Sequence, residues 1–261
     1  MYSGIIPPLV TPIDEQGNVC QQSVKNLIAY LRPHIQGIMP TLSSGEGWKL
    51  SQQQWLDMVL FSKQYAENLP VLAGLLAKTT QEVIARIQQI EKSDIDAVVI
   101  STPFQKDISQ EEIREHYHKI REATNIPLFI YNEKELSGNE IEFDTLSKIF
   151  SLEGIVGIKE SSGSQQLTQL LIAANYPVFQ GWENLCYASR NCQGYILPLA
   201  NLEPRLCWEM FGNPTEDKQA QIDSLCQDYE LFSSTWFASL KKELFRRKII
   251  VTERIIAESE A

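Results

Sequence analysis

Short apolar runs recur at residues 5–10, 37–42, 70–75, 96–102, 127–131, 155–159, 177–181 and 194–199, none longer than seven residues. Most are rich in Val and Ile, the pattern of strands buried on both faces of a parallel sheet. Between them the period lengthens to that of a helix. Residues 51–67 put Leu56, Val59, Leu60 and Tyr65 on one face, and residues 80–92 do the same with Val83, Ile84, Ile87 and Ile90. Ser109-Gln110-Glu111-Glu112 has the form of a capping box, in which hydroxyl and carboxylate satisfy orphan backbone donors. Asp144 is placed to cap a helix over 145–150, and 164–175 reads as another. Beyond the eighth run only helical patterns remain, at 203–211, 215–231 and 234–247. Eight strand-like runs alternating with helices predict the α/β class, as a (β/α)8 TIM barrel over residues 1–202. A short C-terminal helical extension, 203–261, is expected to pack on the barrel as part of a single domain. A doubly wound open sheet is the competing arrangement; even strand spacing without a Gly-x-Gly-x-x-Gly turn disfavours it.

Composition narrows the class of partner. With 23 Lys and Arg against 33 Asp and Glu, the formal net charge is −10. Phosphate binding draws on clustered basic residues, so no nucleic-acid partner is expected. No apolar run approaches the ~18 residues needed to span a bilayer, so no membrane partner is expected either. Met1-Tyr2-Ser3-Gly4 opens without a basic head before an apolar stretch, unlike a signal peptide. The five cysteines, Cys20, Cys186, Cys192, Cys207 and Cys226, include no Cys-x-x-Cys pair. They read as reduced thiols of a cytoplasmic protein, with no metal site.

Barrel enzymes carry their chemistry at the C-terminal ends of strands. Lys159 closes the apolar run Gly154-Ile155-Val156-Gly157-Ile158. A lysine there is costly to desolvate unless it is neutral, paired or covalently used. Two readings stand: a nucleophile of depressed pKa towards carbonyls, or a lysine that snorkels out to pair with Glu160 or Glu46. Tyr131 ends the preceding run, where its phenol either relays a proton beside Lys159 or fills the barrel. Ser43-Ser44-Gly45 offers two hydroxyls and a flexible backbone, either a cradle for a small carboxylate or an ordinary loop. His34, His116 and His118 fall away from strand ends and read as surface or core residues.

In combination these segments resemble the pyruvate-dependent class I aldolases of the dihydrodipicolinate synthase and N-acetylneuraminate lyase superfamily. The resemblance runs from Gly4 to about Arg254. It is carried by Gly4-Ile5-Ile6-Pro7-Pro8-Leu9-Val10-Thr11-Pro12, Ser43-Ser44-Gly45-Glu46, Pro70-Val71-Leu72-Ala73-Gly74 and Thr102-Pro103-Phe104. Most specific are Ile130-Tyr131-Asn132, Gly157-Ile158-Lys159-Glu160-Ser161-Ser162-Gly163 and Gly181-Trp182-Glu183. The resemblance implies that Lys159 forms a Schiff base with a 2-oxo acid and Tyr131 shuttles protons. Ser43 and Ser44 would hold the carboxylate, and the remaining substrate would meet Gly181, Glu183, Leu136 and Gln105. The covalent lysine imine would serve in place of any cofactor, and a homo-oligomer, dimer or tetramer, is implied.

Departures from the pattern bear on the substrate. The synthase branch has a carboxylate-binding Arg where Leu136 stands here, so this chain lacks that bidentate partner. Its relay Tyr falls at Gln105, which carries no proton in that manner. Leu136-Ser137-Gly138 instead resembles the lyase branch, whose polyol-contacting Ser is Pro198 here and whose Asp is Glu183. Trp182 and Trp48 would narrow the mouth or stack on a substrate. The expectation is a Schiff-base aldolase or lyase joining or releasing a 2-oxo acid and an aldehyde. The alternatives are a 4-hydroxy-tetrahydrodipicolinate synthase and a non-catalytic 2-oxo-acid-binding homologue.

Overall fold

The computed structural model describes residues 2–257. Met1 and the end of the expected extension, 258–261, lie outside the described residues. Seven parallel strands form one sheet: β1 (Gly4–Ile5), β2 (Leu72–Leu75), β3 (Ala97–Ser101), β4 (Leu128–Glu133), β5 (Ile155–Ser161), β6 (Val178–Gln180) and β7 (Gly194–Tyr195). Their order is β1-β7-β6-β5-β4-β3-β2. It never reverses, so the sheet has none of the switch points that define a doubly wound fold.

Eight strands were expected and seven form among the described residues. Residues 37–42 make only isolated parallel bridges, Met39 to Pro8 and Ile38 to Val71. The cause is local. Pro7, Pro8 and Pro40 have no N–H to donate, so a continuous ladder cannot run here. The available groups still pair: Leu9 N donates to Met39 O at 3.0 Å, and Gly74 N to Pro40 O at 2.9 Å. For the same reason β1 is shorter than the apolar run that predicted it.

Ten helices flank the sheet among the described residues. They are α1 (Gln21–Leu31), α2 (Gln52–Ala66), α3 (Thr80–Ile90), α4 (Gln110–Ala123), α5 (Lys134–Ser137), α6 (Phe143–Phe150), α7 (Gln165–Ala173), α8 (Pro204–Gly212), α9 (Glu216–Asp228) and α10 (Trp236–Arg246). Capping boxes open α2, α3 and α4 at Ser51, Thr79 and Ser109. Two sequence expectations are corrected. Glu142, not Asp144, is the N-cap of α6, and Asp144 lies in its first turn, where a carboxylate favours the helix dipole. On α2 the buried face is Trp55, Met58, Val59, Ser62 and Ala66, whereas Leu60 is exposed.

Alternation along the strands divides the apolar side chains into two cores. Val98, Ile100, Leu128, Ile130 and Ile158 pack outward under the helices. Val99, Phe129, Tyr131, Phe179 and Ile196 form a separate inner cluster with Ile6, Met39 and Leu72. Residues from sequentially distant strands meet there because the sheet curls on itself. Gly157 makes the space: a Cβ at that position would lie 2.5 Å from the Phe129 ring.

Candidate active site

The same alternation aims chemistry at the end of the inner cluster. Tyr131 on β4 and Lys159 on β5 are register partners, and the Lys159 Nζ lies 4.4 Å from the Tyr131 ring centroid. Both are buried, each at 2% exposure. Desolvation lowers the Lys159 pKa to about 8, against the opposing pull of the Glu133 and Glu183 carboxylates. Burial likewise pushes the Tyr131 phenol well above its ordinary value, with Glu133 adding to the rise.

Neither acid offered as a surface partner for Lys159 serves it. Glu160 accepts from Asn132 Nδ2 and from Ser162 N, each at 2.8 Å. Glu46 pairs with Lys241, both side chains being fully buried. The snorkelling reading is thereby removed, and the lysine stays inside the cavity.

Ser43–Gly45 forms a short 3-10 turn facing that cavity. Ser43 Oγ and Tyr131 OH lie 3.1 Å apart, which ties the turn to the phenol. The Ser44 hydroxyl is buried and has no hydrogen-bond partner among the described residues. A buried hydroxyl in that state is unusual. Glu46, left-handed at φ 54°, ends the turn and turns its carboxylate away to Lys241 Nζ and to Ile256 N, the latter at 2.9 Å.

The cavity measures about 320 Å³ and is lined by Ser43, Tyr131, Lys159, Gly181, Glu183 and Leu136, together with Trp48, Trp182 and Pro198. Gly181 is required by close approach, since a Cβ there would collide with the Ser161 hydroxyl. Glu183 is buried and its Oε1 accepts from Leu199 N at 2.9 Å. Leu136 sits on α5, half-buried. Gln105 is exposed and does not line the cavity. His116 is a core residue between Thr80 Oγ1 and Ser101 O, its pKa lowered to about 4 by burial.

Two parts of the site went unread in the sequence. Glu133 lies two residues beyond Tyr131 on the same strand face and lines the cavity. Its carboxylate caps α5, accepting from the backbone N–H groups of Glu135 and Leu136. Strand alternation was the signal available for it. The other part is the wall formed by Leu231–Ser234, Trp236 and Phe237, in and before α10. No local pattern announces that a C-terminal helix folds back over the mouth.

A buried lysine, a phenol and a hydroxyl turn at the ends of parallel strands are now in view, and the chain can be compared with known proteins. A 4-hydroxy-tetrahydrodipicolinate synthase of Buchnera aphidicola subsp. Schizaphis graminum is 32% identical over 62% of this chain. That match spans 56% of the relative, so the chain aligns with little more than half its length. A 4-hydroxy-tetrahydrodipicolinate synthase of Archaeoglobus fulgidus is 26% identical over 81% of this chain and 74% of its own. In fold, the chain resembles YagE, a prophage protein of the dihydrodipicolinic acid synthase family from Escherichia coli solved in complex with pyruvate. The TM-score is 0.91 at 18% identity, covering 100% of this chain and 93% of that one. The family model described as the dihydrodipicolinate synthetase family matches residues 1–247, and the chain belongs to that family.

Proposed function

We propose that this protein is a class I aldolase or lyase that makes or breaks a carbon–carbon bond next to pyruvate or a related 2-oxo acid. The observation that carries the reading is a lysine of pKa about 8 buried against a tyrosine in one cavity. Near neutral pH a useful fraction of such an amine is unprotonated and nucleophilic. Lys159 Nζ adds to the 2-oxo carbon, water leaves, and a protonated imine results. That imine is an electron sink. Loss of a proton from the neighbouring carbon gives an enamine, which attacks an aldehyde carbonyl; hydrolysis then frees the product and the lysine. In the cleavage direction the same steps run backwards.

Tyr131, bonded to Ser43, is placed to carry the protons exchanged at the carbinolamine and the alkoxide. The Ser43 and Ser44 hydroxyls and their turn receive the 2-oxo acid's carboxylate. Gly181 keeps the wall open, and Glu183 and Leu136 meet the second substrate. Pyruvate in the YagE complex supports the choice of 2-oxo acid. The reading includes a homo-oligomeric cytoplasmic enzyme whose imine replaces any cofactor. It also includes closure of the sheet as an eight-unit barrel through residues 37–42, supported by the bridges to Pro8 and Val71.

A second reading, 4-hydroxy-tetrahydrodipicolinate synthase, is favoured by the likeness to the Buchnera aphidicola and Archaeoglobus fulgidus synthases. Leu136 opposes it, since an apolar side chain gives no bidentate partner for a carboxylate-bearing aldehyde. Incubation with pyruvate and borohydride is expected to add one reduced pyruvate to Lys159 in the intact mass. Absence of an adduct with several 2-oxo acids would overturn both readings. A panel holding aspartate semialdehyde and N-acetylmannosamine then divides them.

A further inference from the structure

The cavity's charges are unbalanced for the reaction it would host. Among its lining residues, Glu133, Glu135 and Glu183 are acidic, and Lys159 is the one cation. Lys159 answers Glu133 and Glu183 only while it is an ammonium. Once the lysine nitrogen is held in a neutral enamine, those two carboxylates lose a nearby cation and keep their backbone N–H partners, while burial pushes both towards the neutral form.

The outer wall is aromatic. Trp48 and Phe237 meet edge-on at 5.7 Å, Trp236 and Phe237 at 6.0 Å, and Phe232 is 48% exposed at the opening. Lys49, which does not line the cavity, already rests its ammonium 5.3 Å from the Phe237 ring and 5.9 Å from Trp48. These rings therefore accept a cation on their faces. The Ser161 hydroxyl, at 6% exposure, lines the cavity beside the Tyr131 phenol.

We propose that the aldehyde partner of this enzyme carries a cationic nitrogen at its far end and no carboxylate, recognised by Glu133, Glu135, Glu183 and the aromatic wall. The inference rests on the Schiff-base reading and adds the substrate's charge to it. The cation enters as the lysine's own charge is consumed, and so restores the balance at the step where it is lost. A carboxylate at the same place would face three acids, with Leu136 offering it nothing.

The test uses the full chain, pyruvate and three aldehydes of matched length: 4-(trimethylammonio)butanal, 4-methoxybutanal and 5-oxopentanoate. Product is followed by mass, and borohydride trapping of pyruvate is scored separately. The expected order of kcat/KM is cationic over neutral over anionic, spanning at least about tenfold, or 1.4 kcal/mol. Glu135→Gln is expected to narrow that span while pyruvate is still trapped. Equal or faster turnover of the neutral or anionic aldehyde, with the adduct present, overturns this proposal and leaves the Schiff-base reading standing. Absence of the adduct overturns both.

Discussion

Lys159 is governed by two opposing influences of different origin: burial favours its neutral form, and Glu133 and Glu183 favour the charged one. Burial is the larger, hence a pKa of about 8 rather than the 10.5 of a free lysine. Replacing Glu133 by Gln removes a negative charge that raises the value, so the amine should deprotonate at lower pH. The pH at which borohydride trapping reaches half its maximum rate should fall below that of the native protein. An unchanged or raised midpoint would mean that Glu133 does not act on the lysine. The buried lysine and its tyrosine were legible from sequence because each ends an apolar run, where a polar group demands explanation. Glu133 was not, because it follows Tyr131-Asn132 in a segment that looks like the start of a loop.

At the level of elements, the sequence showed seven strands and most helices through periodicity alone. It overcounted where proline interrupts the ladder at 37–42, since hydrophobicity reports burial and says nothing of donors. It undercounted α1, whose buried face of Val24, Leu27, Ile28 and Leu31 is as regular as that of the helices found. The β4–β5 pair depends on Gly157, above which the Phe129 ring lies. Gly157→Ala is expected to cost about 1–3 kcal/mol, the range for overpacking a filled core. Denaturant unfolding would read it as a lowered midpoint with an unchanged slope. Pairing the change with Phe129→Leu should recover part of the loss.

Across the whole molecule, the C-terminal segment ties back onto the start of the chain. Thr252 Oγ1 donates to Ile13 O at 2.8 Å, and Val251 N to Ser23 Oγ at 3.1 Å. Lys241, in α10, reaches the fully buried Glu46 beside the hydroxyl turn and also donates to Arg254 O at 3.0 Å. Lys241→Met leaves Glu46 as a buried charge without its partner, a change that typically costs about 3–5 kcal/mol. Thermal unfolding should show the loss. Weaker capture of pyruvate should accompany it, because the Ser43–Gly45 turn is anchored at Glu46. None of this was legible beforehand: Glu46 was considered as a partner for Lys159, and nothing in either local sequence joins it to Lys241.

That ion pair also sets an order of events. Glu46 and Lys241 are 195 residues apart, and Glu46 and Ile256 are 210 apart. Contacts of such separation close late, after local strand–helix units have already formed. Refolding should therefore pass through a state with native-like secondary structure whose lysine is present but whose Ser43–Gly45 turn is still loose. Recovery of pyruvate trapping would lag behind recovery of circular dichroism. During synthesis on the ribosome, the same geometry withholds a finished site from the nascent chain until α10 and the segment beyond it have emerged.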